Sequence, residues 1–471
     1  MPRMIESHVV GESLSREGSD ARGRAKLALA IQLAVLLVAT SWLPSGVATA
    51  SSNIRVNTDQ GQTEQGFPDV AVVGENVYLT WIDGREENDD IYFARSTDAG
   101  ATFTGPNVRL NDDAGVARQV FPAVAASPTG TVYVVWEDDR MGDGDIYLAR
   151  SPDGGVTWAA NVRMNGDTEN ARQEGAMVAI DAGGAAYVAW LDTRDNGTRI
   201  YLRVSSDGGL TWAPETWMNS ADTDISDPTM TAGAADSVAL GWGGRRDGDF
   251  DSDVSFAMST DGGVGWTDPT VVISGDAGSV VQRSPSLTLD TLGAIYGVWE
   301  DGRNGNFYDI YFAKSNDSGL SWTIPPIRIS EDLGPGADYH QFPTVAIDAA
   351  NNVYVAWSGW SASLVRPTVY LAKSGDGGAT WSRPVKMNAD AFSREYAPSM
   401  AVDRLGRTFV AWEDNRDGSA DIYFARTDRL AVERGGWVGW WWVLLLVVSL
   451  AVAMAVLLIR RRRRKAAMVL H

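Results

Sequence analysis

The sequence predicts an all-β fold: a seven-bladed β-propeller of four-stranded antiparallel blades, followed by one transmembrane helix. Three observations predict it. An eight-residue pattern, S-x-D-x-G-x-x-W, occurs six times along the chain, with Phe103 in place of Trp in the first copy; a tryptophan recurs seven times within a longer repeat; and an uncharged apolar run of 23 residues stands just before a basic C-terminal tail. Recurrence at a near-constant period points to an array of one supersecondary unit, so a single domain can take up most of the 471 residues.

Residues 1–50 form an N-terminal segment with a secretory signal. Arg22, Arg24 and Lys26 precede an apolar run from Leu27 to Ala39, and Ala48-Thr49-Ala50 offers small residues for cleavage. An uncleaved anchor built on the same run is the alternative.

The propeller is expected over 51–428. Its repeat is clearest at 121–165, which divides into strands at Ala123 to Ala125, Thr131 to Glu137, Asp145 to Arg150 and Asn161 to Asn165. A four-stranded meander of this length makes one blade. In the eight-residue pattern, as in Ser151 to Trp158, Asp can accept hydrogen bonds from the amides ahead of it, Gly permits positive φ, and Trp covers the turn. The second-strand tryptophans, Trp81, Trp136, Trp190, Trp242, Trp299, Trp357 and Trp412, count seven blades. Inner strands begin near Phe67, Phe121, Gly175, Asp227, Ser284, Phe342 and Ala397, at intervals of 52 to 58 residues. The seventh unit stops at its third strand, and Asn53 to Asn57 matches the fourth strands Asn107 to Asn111 and Asn161 to Asn165. Residues 53–57 are therefore expected to pair with Asp421 to Arg426 and close the ring, which removes an open sheet edge.

A short linker, 429–436, leads to the apolar run Trp437 to Ile459, long enough to span a bilayer as a helix. The tail 460–471 opens with Arg460 to Lys465, which marks its side as cytoplasmic and places the propeller outside a single-pass cell-membrane anchor.

Charge narrows the function. With the 11 cations and 4 acids of the two ends set aside, residues 51–434 keep 29 Lys and Arg against 56 Asp and Glu, a net charge of −27. Nucleic acid is excluded as a partner. The chain has no cysteine, hence no disulfide and no thiol chemistry. His340 is the only histidine between residues 51 and 434, which argues against His-rich zinc sites and serine-type triads. No cofactor is required by any motif, and the sequence carries no signal for an oligomeric state.

The repeated pattern resembles the Asp-box, or BNR repeat, of sialidases and related propellers. The resemblance implies a sialidase-like propeller in which the boxes, at Asp98, Asp153, Asp207, Asp261, Asp317 and Asp376, are folding motifs on the face away from the active site. The opposite face carries a second repeat, W-x-D-x-R, with Asp at 83, 138, 192, 301 and 414 and Arg at 85, 140, 194, 246, 303 and 416. A pair present in nearly every blade should serve every blade, as an ion pair bracing the turn. Ligand chemistry is expected instead where blades differ, in the loops entering the inner strands. There Arg118, Arg172, Arg283 and Arg394 are candidates for gripping an anionic group, since guanidinium binds carboxylate bidentately. Tyr396 beside Glu395 is similar to the Tyr and Glu pair that sialidases use as nucleophile and base. Solvated loop charge is the other reading of these residues. Asp247, Asp249, Asp251 and Asp253 alternate in blade 4 as a candidate calcium site, although Ser252 and Met258 stand where an EF-hand loop has Gly and Glu.

Three functions fit: a membrane-anchored propeller binding a glycan or protein at the cell surface, an exo-glycosidase of sialidase type acting on acidic sugars, and a structural envelope component that binds nothing.

Overall fold

The computed structural model describes residues 53–428, apart from 60, 62, 104, 168–170, 195–196, 219–222, 246–251, 268–270, 275–279, 306, 331–337, 362–366 and 388–394. The predicted signal, linker, transmembrane run and basic tail lie outside the described residues, as do Arg394, Asp247, Asp249 and Asp251. Among the described residues, no helix is long and apolar enough to cross a membrane.

The described strands form seven four-stranded antiparallel sheets. Six of them are built from consecutive strands, as in blade 2: Gln119–Ala126, Val132–Asp138, Asp145–Ser151 and Val162–Arg163. The seventh closes the ring. Ile54–Arg55 adds to Asp421–Thr427, with Ile54 opposite Phe424 and Arg55 opposite Tyr423, and the Val56 amide donates to the Ile422 carbonyl at 2.8 Å.

Each blade buries both faces of its second strand against its neighbours. All seven second-strand tryptophans are fully buried, and the apolar clusters run across blade boundaries: Phe409 and Phe424 of blade 7 pack with Val77, Leu79 and Trp81 of blade 1. Burying one indole contributes on the order of 5 kcal/mol gross, from roughly 200 Å² at about 25 cal/mol per Å².

The boxes join blades from one side of the ring. Asp153 accepts from the Ser151 hydroxyl at 2.8 Å, from the Thr157 amide at 2.8 Å and from the Thr157 hydroxyl at 2.6 Å. These bonds hold Asp153 and Asp98 ionised, lowering each carboxyl to about 2. The box tryptophan then packs on the preceding blade: Trp158 meets Phe93 edge-on at 4.9 Å, and Trp322 and Trp381 repeat this on Phe256 and Phe312. Only glycine fits the fifth position. Gly155 has φ +83, and a Cβ there would lie 2.5 Å from the Phe93 ring.

Strand alternation sorts the loops. Inner strands run toward the box face, second strands run back, and third strands end at the boxes. The loops entering inner strands and those joining second to third strands share the other face, called here the loop face.

Candidate functional site

The loop face opens at the propeller axis, where the seven inner strands converge. Each carries a bulge, with a register shift between residues such as Gly66 and Asp69 or Tyr396 and Ser399. The bulged residue takes a left-handed conformation in every blade, at φ 50 for Phe67, 51 for Phe121, 64 for Gly175, 47 for Asp227, 50 for Ser284, 54 for Phe342 and 47 for Ala397. In six blades proline follows; it has no N–H, so the interrupted ladder leaves no donor without a partner there. Positive φ at phenylalanine is strained by about 1–3 kcal/mol and persists only where its surroundings enforce it. Neighbouring blades do so: Glu413 accepts from the Phe67 amide at 2.8 Å, Glu137 from Gly175 at 2.7 Å and Glu300 from Phe342 at 2.8 Å. These bulges ring an axial cavity of about 380 Å³, onto which Phe67, Phe121, Phe342 and Asp69 face.

Around this mouth the W-x-D-x-R repeat acts as a brace. In blades 1, 2, 3, 5 and 7 the Trp indole N–H donates to the Asp at 2.8–3.1 Å. The Arg pairs with the same Asp and lies 4.1–4.5 Å over a third-strand tyrosine ring. Blade 6 solves the same problem differently. Gly359 replaces Asp, and the Trp357 indole donates at 3.0 Å to Nδ1 of buried His340, which comes from the position held by Gln65 in blade 1. The lone histidine between residues 51 and 434 is therefore part of the scaffold.

The candidate residues fall into separate groups. Arg118 is about half exposed with Nε 3.5 Å from Asp89, and Arg172 is exposed with Nε 2.9 Å from Glu174. Both act on Glu137, the acid between them. Glu137 is pushed up to about 7, chiefly by burial with a further rise from Glu174, against the Gly175 amide, Arg172 and Arg118, which counteract. Arg283 stands with blade 5, its Nε 2.9 Å from buried Glu300 and its guanidinium 4.3 Å over the Tyr308 ring. Glu395 is fully buried and its carboxylate accepts from the Val369 amide at 3.0 Å. Tyr396, the next residue of the strand, points to the other side and meets Phe342 and Trp360. The geometry thus directs the two side chains to different partners. Asp253 begins the third strand of blade 4 and accepts from the Ser274 hydroxyl at 3.1 Å, as Asp309 accepts from Ser330 in blade 5. Among the described residues, no group of three or more His, Asp or Glu is arranged to hold a metal ion.

The strongest break in symmetry is aromatic. Phe307 packs edge-on against Tyr339 at 4.3 Å; Tyr339 stacks on Trp360 at 4.8 Å with planes 7° apart; Trp360 reaches Tyr396 at 6.0 Å, and Tyr396 reaches Phe342 at 5.8 Å. This row of partly exposed rings runs over blades 5, 6 and 7 to the rim of the axial cavity. Sequence reading does not single out Phe307 or Trp360. The available signal was Trp360, which stands where the other second strands continue with Gly84, Asp139, Thr193, Arg245, Gly302 or Asn415.

No sequence-family model and no curated protein matches the chain. Solved structures do. A polysaccharide lyase superposes with a TM-score of 0.54 at 12% identity, over 82% of this chain and 93% of its own. An ulvan lyase gives 0.52 at 14% identity, over 80% and 96%. A Hadza microbial sialidase gives 0.43 at 18% identity, over 64% and 66%. The fold is one that this chain shares with the two lyases. At these identities the likeness is one of architecture alone.

Proposed function

We propose that this chain is an exported, membrane-tethered sialidase-like propeller that binds a glycan on its loop face. The observation that carries the reading is the aromatic row from Phe307 to Tyr396 ending at the axial cavity. A sugar ring offers a C–H face that packs on an aromatic ring, and its hydroxyls and any acidic substituent take hydrogen bonds from charged groups at the rim. Arg118 and Arg172 supply such groups, held by exposed or half-exposed pairs that contribute little and can exchange partners, and Arg283 adds a third, anchored on buried Glu300. The fold-sharing lyases act on polysaccharide and ulvan, which supports a glycan over a protein ligand.

The test is a glycan array probed with the purified full chain in detergent micelles. Binding to a restricted set of glycans, lost in Trp360→Ala, is the expected result; an array without binding refutes the proposal and favours a structural envelope role. A fluorogenic sialoside assayed alongside separates binding from turnover. Hydrolysis abolished in Tyr396→Phe would establish the exo-glycosidase reading in its place.

A further inference from the structure

The box face carries a pattern that folding does not explain. At the sixth box position only the backbone is used, as when the Val156 amide donates to Asp153 Oδ1 at 3.1 Å. The side chain there points to solvent, and nothing in the turn calls for an apolar one. Four boxes nevertheless place Val156, Leu210, Val264 and Leu320 at this position, with 59%, 71%, 83% and 75% of each exposed. Leu292 and Leu405, from the first hairpins of blades 5 and 7, add 86% and 68% on the same face. Six large aliphatic side chains thus stand out from one side of a strongly acidic chain.

The chain also leaves the propeller on this side. The last strand, Asp421–Thr427, is a third strand and so ends at the box face; Arg426 donates to the carbonyls of Asp98 and Ala99 in the first box, at 3.5 and 2.8 Å. Ile54–Arg55, a fourth strand, begins from that side as well. Between Asp428 and the apolar run that starts at Trp437 lie only residues 429–436, a reach of roughly 28 Å even when fully extended.

We propose that the box face rests on the lipid headgroups of the membrane that holds this chain's own anchor, with the aliphatic ring seated in the interface. The proposal rests on the tethered reading given above. Apolar side chains around the rim gain by leaving water, and the short tether keeps them within reach of the surface. The box aspartates on the same face are ionised and exposed, and cations stand beside the boxes, as Arg95 does at Gly154 and Arg426 at Asp98, so the face offers both signs of charge to zwitterionic headgroups. The aromatic row, on the opposite face, then points away from the membrane toward ligand.

The absence of cysteine makes the test direct. The full chain is reconstituted in phosphatidylcholine liposomes with an environment-sensitive fluorophore on Leu210→Cys, Val264→Cys or Leu292→Cys. Val116→Cys and Met141→Cys, at 89% and 67% exposure on the loop face, are the controls. Headgroup-labelled quencher lipid should quench the box-face labels about threefold or more above the controls. Liposome-bound chain with equal quenching on both faces overturns the docking and leaves the tether standing. Chain that does not float with liposomes overturns the tether. Shielding of the box-face labels that follows protein concentration instead of lipid shows that the face packs on a second copy, which also overturns the proposal.

Discussion

Substituting Asn57 by alanine should loosen the ring at its seam. The side chain is 4% exposed and works in both directions: Nδ2 donates to Asp421 Oδ1 at 2.8 Å and Gln65 Oε1 at 3.0 Å, while Oδ1 accepts from the Ile422 amide at 2.9 Å. Asp421 keeps Arg55 at 2.7 Å, so the change leaves two buried groups without these partners, the Ile422 N–H and the Gln65 carbonyl. At about 1–3 kcal/mol for each orphaned group the loss is roughly 2–6 kcal/mol. With an unfolding entropy of about 2.1 cal/mol/K per residue over a domain of this size, the melting temperature should fall by roughly 3–8 °C. The assay is thermal unfolding followed by circular dichroism, with Asn111→Ala as the matched variant. Asn111 makes the same bonds where blade 1 meets blade 2, to Asp90 at 2.7 Å, to Gln119 at 2.9 Å and from Ile91 at 3.0 Å, but sits away from the seam. Comparable losses are expected. An Asn57→Ala protein that melts like the parent while Asn111→Ala is destabilised would refute closure by residues 53–57.

Other perturbations read other parts of the scaffold. Gly155→Ala combines positive φ with a Cβ 2.5 Å from Phe93, whereas Gly154→Ala has φ +72 and its nearest neighbour at 3.3 Å. The first should cost about 2–5 kcal/mol and the second about 1–2 kcal/mol in denaturant titrations; equal losses would contradict the packing argument. Gly359→Asp alone should destabilise blade 6, since its Cβ would meet His340 Nδ1 at 2.9 Å. Adding His340→Gln rebuilds the arrangement of blade 1 and should recover most of the loss in the same thermal melts. Glu137 sets a pH dependence. Its folded value near 7 lies above its ordinary 4.5, so the unfolded chain releases this proton first as pH rises. Its contribution is fully present below pH 4.5 and is lost as pH rises through 7, and Glu137→Gln should flatten the stability profile across that window.

Much of the architecture is legible because every blade must solve the same packing problem and so repeats the same residues. Trp81 and its six counterparts count the blades, and the likeness of Asn53 to Asn57 to later fourth strands announces the closure seen between Ile54 and Phe424. The site is legible only in part, for two physical reasons. Sequence adjacency does not survive the pleat: Glu395 turns to the Val369 amide while Tyr396 joins the aromatic row. Cross-strand register creates neighbours that no motif shows, since Tyr339 meets Trp360 only because the blade 6 strands extend past the usual turn. His340 illustrates both, being an isolated histidine in the sequence and the acceptor for Trp357 in the fold.

The function proposed for the loop face turns on whether its aromatic row holds a glycan. The most direct measurement is a calorimetric titration of the full chain with a glycan that it captures, repeated with Trp360→Ala and with Trp217→Ala, the latter removing a 44% exposed indole from the fourth strand of blade 3. Loss of a central stacking residue should weaken binding by about 2 kcal/mol or more, roughly 30-fold, while the Trp217 variant keeps the parent affinity. Equal affinities for all three proteins would contradict the account.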